Sequence, residues 1–186
     1  MRIGKNEIVE YAKRYELAYE GTTGEEVEKR MKLLLREQRY LTRDDFIEIG
    51  LWKSRRPKPH YESLENDDLT VGEVTRFSFG ARSERARIES LLMLKGVSWP
   101  VASTILHFAF PGRYPIMDFR VIRSLRSLGW NGKKPQSYEF NFWMKYCNKI
   151  RSLARTHKLP IRTVEKALWK LDKEGSKKHP RGSVSS

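Results

Sequence analysis

The residues 94–103, LKGVSWPVAS, place Gly96, Val97 and Ser98 between two helical patterns, and Pro100 falls in the first turn of the second. Such a turn leaves backbone N–H groups at the positive end of the following helix, where a phosphate or another anion binds. Gly96 allows the backbone to approach such a group closely, and Val97 can anchor the turn in the core. An ordinary helix–helix corner without a ligand explains the same residues.

One aspartate, Asp118, stands 18 positions after Pro100 and directly before another helical pattern. It follows YPIM (114–117) and precedes FRVIRSLRSLG (119–129). An aspartate at this place caps a helix, which contributes about 1 kcal/mol. The N–H groups of the helix also favour the ionised carboxylate, so the same side chain can act as a fixed anion. Capping and anion chemistry are compatible, and the sequence leaves both open.

Helical patterns must position both features, and they cover almost the whole chain. Apolar residues recur at helical spacing in nine segments, which predict an all-α fold without a strand. The motifs Thr23-x-x-Glu26, Thr42-x-x-Asp45 and Thr70-x-x-Glu73 predict helix starts. The segments are 6–20, 22–38, 42–54, 70–80, 83–94, 99–110, 119–129, 137–158 and 162–174.

Two further segments complete the organisation of the chain. Residues 54–68 contain two prolines and many charges, so they are predicted as a surface loop. The tail 175–186 is small, basic and polar and is predicted to be disordered, which leaves 1–174 as one compact domain. Basic side chains at the start of the loop could follow a nucleic-acid backbone or simply be solvated: Lys53, Arg55, Arg56 and Lys58.

The charge of the chain favours an anionic partner. The formal net charge is +14, from 37 Lys and Arg against 23 Asp and Glu. Nucleic acid is the commonest partner of such a protein, although the excess can also serve solubility alone. Cys147 is the only cysteine, which excludes an internal disulfide framework and Cys-rich clusters. The sequence contains neither a secretory signal nor a transmembrane run, so we expect an intracellular, cytoplasmic or nucleoid-associated monomer.

The residues LLMLKGVSWPVASTILHFAFPGRYPIMDFRVIRSL (91–125) resemble the helix–hairpin–helix DNA glycosylase superfamily (HhH-GPD), which includes endonuclease III. The pattern of that family is roughly L-P-G-V-G-x-K-x-A, followed by about eighteen residues and a helix-opening Asp. The resemblance implies a two-lobed all-α fold with the helix–hairpin–helix element at about 91–110 and a hairpin-and-aspartate core at 84–129. It also implies base-excision DNA repair, with double-stranded DNA as the partner.

The resemblance assigns roles to individual residues. Asp118 would be the catalytic anion that stabilises the oxocarbenium-like sugar as the glycosidic C–N bond breaks. Backbone carbonyls of Leu92, Leu94 and Val97 would bind a monovalent cation, K⁺ or Na⁺. A flipped base needs a pocket with aromatic walls, for which Trp52, Tyr61 and Trp99 are candidates. The predicted DNA contacts are Lys95, Gly96, Val97, Ser98, Trp99, Arg120 and Arg123.

Three departures from the family pattern narrow the implied chemistry. Pro100 replaces the hairpin lysine that forms a Schiff base in bifunctional members, so the resemblance implies a monofunctional hydrolase. Ser98 replaces the second hairpin glycine, and a positive φ at this position would be costly. Cys147 alone cannot hold an iron–sulfur cluster, so no cofactor is required.

Two other functions are consistent with the sequence. A helix–hairpin–helix protein could bind duplex DNA without cleaving it, with Asp118 kept only as a cap. A basic helical module could instead bind RNA or a protein partner, and it would show no preference for duplex DNA. Arg120 and Arg123 are compatible with all three functions, because they can pair with phosphate or with acidic residues of neighbouring helices.

Overall fold

A computed structural model of the protein describes residues 3–132 and 138–178. Over these residues the fold is all-α, as predicted, and no strand is present. The helices are α1 (Lys5–Tyr19), α2 (Thr23–Glu37), α3 (Arg43–Lys53), α4 (Lys58–Tyr61), α5 (Asp68–Gly80), α6 (Glu84–Leu91), α7 (Trp99–Ala109), α8 (Phe119–Ser127), α9 (Phe140–His157) and α10 (Ile161–Lys178). None of these helices combines the length and the apolar character needed to cross a bilayer.

The helix starts show which predicted caps are used. Thr42 closes the predicted capping box of α3. The prediction for α2 was one residue late, because Thr22 and not Thr23 accepts the backbone hydrogen bond. The start of α5 was also wrong, because the carboxylate of Asp67 caps this helix ahead of Thr70. Asp and Thr both cap well, so the sequence alone did not decide between neighbouring candidates.

The helix after the LKGVSWPVAS turn, α7, lies at the centre of the core. Eight of its eleven residues, Val101 to Phe108, are buried. A helix that is apolar on every side must be surrounded by other elements, and α2, α3 and α6 pack against it. The first and last helices, α1 and α10, pack against each other, and α10 also packs against α8. The turn therefore precedes the well-packed helix α7, and Asp118 precedes α8, which packs against α10.

The segment 54–68 is mostly exposed, as its composition predicted, but it is not a loop throughout. It contains α4, and the side chains of Tyr61 and Asn66 are buried. The Tyr61 ring fills the space beside two glycines, since a Cβ added at Gly50 or Gly96 would lie 2.8 Å from it. Because prolines and charges dominate the composition of this segment, the composition did not indicate that Tyr61 is part of the core.

The C-terminal boundary also differs from the prediction. The disordered tail was predicted from residue 175, whereas α10 continues to Lys178. The helix passes Gly175 because one glycine costs a helix only about 1 kcal/mol. The remainder of the predicted tail, 179–186, lies outside the described residues.

Candidate functional site

Asp118 lies at the N-terminus of α8 and makes two polar contacts. Its Oδ1 accepts a hydrogen bond from the backbone N–H of Arg120 at 2.9 Å, which confirms the predicted N-cap. Its Oδ2 accepts a hydrogen bond from Lys53 Nζ at 2.8 Å. The side chains of Asp118 and Lys53 are 19% and 12% exposed. The carboxylate is thus held in one orientation while one part of it still reaches solvent.

The segment that leads to Asp118 is fixed to the core by hydrogen bonds. The backbone N–H of Met117 donates to Ser103 Oγ at 2.8 Å. His107 Nδ1 lies 2.8 Å from the carbonyl oxygen of Tyr114 and must donate, because a carbonyl only accepts. Burial lowers the pKa of His107 to about 3, so the ring is neutral. As expected, His107 is a core residue, and it positions the approach to Asp118.

Asp118 opens onto a cavity of about 670 Å³ that also contains Lys53. Four aromatic side chains contribute to its walls: Tyr15, Tyr19, Trp52 and Trp169. The indole of Trp52 is fixed by hydrogen bonds from Nε1 to Tyr19 Oη at 2.9 Å and to the carbonyl of Gly24 at 2.8 Å. The volume is typical of a small-molecule site, and aromatic walls suit a planar ring.

Only one of the three aromatic residues predicted for a base pocket lines this cavity. Trp52 does so, in the company of Asp118. Tyr61 is fully buried in the core, so its assignment to the pocket is corrected. Trp99 is partly buried, and its ring centroid lies 6.4 Å from that of Trp143, away from the cavity lining. Spacing along a helix did not distinguish core aromatics from cavity aromatics.

The LKGVSWPVAS turn joins α6 to α7 with Gly96 at a φ of 83°. Ser98 has φ −104° and ψ 169°, an extended conformation, so the predicted strain at this residue is absent. Asn66 holds the turn on both sides: Oδ1 accepts from Lys95 N–H at 2.9 Å, and Nδ2 donates to the Lys95 carbonyl at 3.1 Å. The side chain of Ser98 makes no capping bond to α7. Ser98 and Lys95 are exposed.

The predicted monovalent cation site remains a prediction. The carbonyl of Leu94 accepts a hydrogen bond from Val97 N–H at 3.1 Å, which leaves it a second lone pair. The backbone of Leu92, Leu94 and Val97 thus remains compatible with a carbonyl-bound ion. Within residues 3–132 and 138–178, no group of three or more His, Cys, Asp or Glu side chains could hold a metal.

The two arginines of α8 are engaged by an acidic residue of a neighbouring helix. Arg120 Nη1 lies 3.0 Å from Asp172 Oδ2, and Arg123 contacts both oxygens of the same carboxylate, at 2.8 and 2.6 Å. Lys95 forms an exposed pair with Glu65 at 3.1 Å. Asp172 is therefore an acidic partner of the kind that the sequence left open for the arginines. If Arg120 and Arg123 contact DNA as predicted, each must bind a phosphate in addition to Asp172 or in its place.

Two cavity residues were not predicted as parts of the site. Lys53 was interpreted only as a member of a basic loop, whereas it ends α3 and contacts Asp118. Glu165 lines the cavity from α10 although it is only 2% exposed. A signal for Glu165 exists in the sequence, because this carboxylate lies among Val164 and Leu168 on the apolar face of its helix. Buried ionisable side chains are uncommon and often functional.

Replacing Lys53 by methionine is expected to lower the free energy of unfolding by about 1–3 kcal/mol, because a largely buried carboxylate loses its cation. In an Asp118→Asn background the same change should cost much less. Urea unfolding of the four proteins of this double-mutant cycle measures the coupling. Lys58→Met is the control, since Lys58 is exposed and its contact with Glu62 is 3.6 Å long. Additive effects of Lys53→Met and Asp118→Asn would contradict the pairing.

The comparisons with known proteins do not place the chain in a family. Searches of known protein families, of curated proteins and of solved structures find no match. The resemblance of residues 91–125 to the helix–hairpin–helix glycosylases therefore stays a hypothesis that rests on the motif residues themselves.

Proposed function

We propose that the protein is a monofunctional DNA N-glycosylase, which hydrolyses the bond between a flipped base and its deoxyribose. The observation that carries the proposal is the position of Asp118, a fixed and partly exposed carboxylate in a cavity with aromatic walls. Breaking the C–N bond develops positive charge at C1′, and a preorganised anion stabilises that charge. The ordered segment before Asp118 supports the preorganisation that such catalysis needs.

The cavity offers a place for a base outside the DNA stack. A base-excision enzyme must rotate its target out of the duplex and hold it against apolar or aromatic side chains. Trp52 is fixed by two hydrogen bonds and is suited to stack on such a base. The volume of about 670 Å³ exceeds what one nucleobase needs, so the sugar can also enter.

Hydrolysis without strand cleavage is supported by the hairpin proline and by the engagement of the lysine that contacts Asp118. Pro100, at the hairpin position, has no amine. Lys53 donates to Asp118 as an ammonium group and has no free lone pair for attack on C1′. Abasic sites would therefore accumulate, and strand breaks would need added alkali.

The test is base release from duplexes that carry alkylated, oxidised, deaminated or mismatched bases. Alkali converts each abasic site into a strand break that a gel resolves, and Asp118→Asn serves as the inactive variant. Breaks that require alkali and disappear in the variant support the proposal and identify the substrate. Breaks without alkali would contradict monofunctional hydrolysis and point to attack by one of the cavity lysines, Lys53, Lys58 or Lys166.

A duplex-binding protein without catalysis is the second candidate. It is favoured by the fact that both oxygens of Asp118 already have partners within the protein, at 2.9 and 2.8 Å. Capping α8 and binding Lys53 are sufficient to explain such a carboxylate, without a catalytic role. Tight duplex binding with no abasic site on any substrate would support this function.

Binding to duplex DNA is expected to weaken steeply with salt, because each phosphate contact releases a counterion. Six contacts would reduce the affinity about 10³-fold between 50 and 200 mM salt. Arg55, which lines the cavity, and the adjacent Arg56 are both exposed, so alanine at either should reduce the slope by about one contact. Fluorescence anisotropy with duplex and single-stranded oligonucleotides measures both effects. Salt-independent binding, or no preference for the duplex, would contradict both DNA functions.

A further inference from the structure

A second carboxylate, Glu165 of α10, lines the same cavity as Asp118. Its Oε1 accepts a hydrogen bond from the backbone N–H of Ile116 at 2.5 Å. Its Oε2 is buried and has no hydrogen-bond partner within the described residues. The nearest ring nitrogen, His107 Nδ1, is 3.9 Å from this oxygen and donates to Tyr114 instead. Glu165 thus lines the cavity and carries one buried oxygen with unused hydrogen-bonding capacity.

The neighbouring cations are already matched with other carboxylates. Arg162 forms a bidentate pair with Glu28, at 3.1 and 2.8 Å, and Lys53 binds Asp118. Desolvation raises the pKa of Glu165 to about 8 against the opposing attraction of Arg162, so the carboxyl is mainly protonated at neutral pH. Asp118 is paired with a cation, whereas Glu165 is not. Two carboxyl groups in one site with such different surroundings are suited to separate acid and anion roles.

We propose that Glu165 is a second catalytic residue, the acid that protonates the departing base in the glycosidic cleavage proposed above, on which this inference rests. The C1′–N bond breaks with its electron pair on the base, and the proton of Glu165 Oε2 moves to that base. The oxygen of a water molecule forms the new bond to C1′ and releases its proton to solvent. Asp118 remains the anion that stabilises C1′, and solvent later restores the Glu165 proton.

This assignment selects a class of substrate. The cavity is lined by five cationic side chains and three carboxyl groups, one of which is the protonated Glu165; the cations are Lys53, Arg55, Lys58, Arg162 and Lys166. A purine alkylated at N3 or N7 is a cation, so it binds less favourably here, although it leaves as a neutral base without an added proton. A neutral base leaves far more readily when an acid protonates it. The substrate class is therefore a neutral base, which is oxidised, deaminated or mispaired rather than alkylated to a cation.

Three groups that face Glu165, namely His107, Tyr146 and Glu28, do not titrate in the same range. The charged or titratable side chains that face it are Glu28 from α2, Lys53 from α3, His107 from α7, Tyr146 from α9 and Arg162 from α10. Burial lowers the pKa of His107 to about 3 and raises that of Tyr146. The Arg162 contact keeps the pKa of Glu28 near 2 against the effect of burial. A change in activity near pH 8 would therefore report Glu165.

The test compares Glu165→Gln with the unmodified protein in single-turnover base release. Gln keeps the acceptor for Ile116 N–H but cannot transfer a proton. We expect a loss of roughly 10²–10³-fold on a neutral base at pH 7. A duplex with N7-methylguanine should show almost no further loss, because its leaving group needs no acid. The rate of the unmodified protein should fall as the pH rises through about 8, and this limb should vanish in Glu165→Gln.

A matched control and a direct titration separate the possible failures. Glu174→Gln changes another carboxylate of α10, which pairs with Arg14 and Lys170, and it should leave the rates unchanged. Release that depends on Asp118 but keeps its rate and pH limb in Glu165→Gln overturns this inference and leaves the proposed function intact. No release from any duplex overturns both. If Glu165→Gln does not fold, carbon-13 NMR of the Glu165 carboxyl in the unmodified protein decides, and a pKa below about 5 overturns the inference.

Discussion

Asp118→Asn is expected to reduce base release by at least about 10³-fold while the protein stays folded and binds duplex DNA as well as before, or more tightly. Asparagine caps helices about as well as aspartate, so its side-chain oxygen can still accept from Arg120 N–H. The substitution removes the negative charge and, with it, the ion pair with Lys53, but it keeps the cap. DNA binding is retained because a carboxylate near phosphate is unfavourable. Single-turnover gels measure base release, and anisotropy measures binding.

The controls for this variant separate charge from capping. Asp67→Asn makes the same chemical change at the N-cap of α5, where Asp67 Oδ1 accepts from Thr70 N–H at 2.7 Å. It should leave base release unchanged. Asp118→Ala removes both cap and charge, so it should lose about 1 kcal/mol more stability than Asp118→Asn with no further loss of activity. An Asn variant as active as the unmodified protein would show that Asp118 is only a cap and would favour the binding function.

The parts of the site that the sequence predicted are those that local interactions determine. The Asp118 cap depends on residues within the first turn of α8, and the aspartate is recognisable because an apolar segment precedes it and a helical pattern follows. The all-α fold follows in the same way from helical spacing repeated in each segment. Boundaries were less certain, as Thr22 and Asp67 show, because adjacent residues can both cap.

The parts that the sequence did not predict depend on contacts between distant segments. Lys53 meets Asp118 across 65 positions of the chain, and no local pattern indicates this pair. The acidic partner of Arg120 and Arg123 was left open for the same reason, since Asp172 lies in another helix. Chemistry-bearing residue types can be identified in a sequence, but their pairing is set by the packing of α3, α8 and α10.

The different roles proposed for Asp118 and Glu165 depend on which carboxyl groups of the cavity pair with cations. Two largely buried cations of the cavity each bind a different carboxylate: Lys53 binds Asp118, and Arg162 binds Glu28. Glu165 is the carboxyl group that this pairing leaves over, and its protonated form follows from desolvation. The packing of distant helices, which the sequence does not reveal, thus leaves Asp118 paired with a cation and Glu165 unpaired and protonated.

Gly96→Ala is expected to lower the free energy of unfolding by about 2–5 kcal/mol and to weaken duplex binding. Gly96 has φ 83°, where a side chain costs roughly 1–2 kcal/mol. A Cβ at this position would also lie 2.8 Å from the Tyr61 ring and 2.9 Å from the His60 Cβ, and such overlap costs about 1–3 kcal/mol in a packed core. The ring is buried and cannot yield, so the turn must shift. Urea unfolding measures the first effect and anisotropy the second.

Gly129→Ala is the matched control, because it separates the two costs at Gly96. Gly129 has φ 92°, but no atom lies within 4 Å of a Cβ added there. Its substitution should cost only the conformational part, about 1–2 kcal/mol, and should leave duplex binding unchanged. The difference between the two variants is then the steric cost of a Cβ against Tyr61 and His60. Equal losses at Gly96 and Gly129 would mean that this crowding costs nothing. A Gly96→Ala protein that binds duplex DNA normally would show that this turn does not grip the backbone.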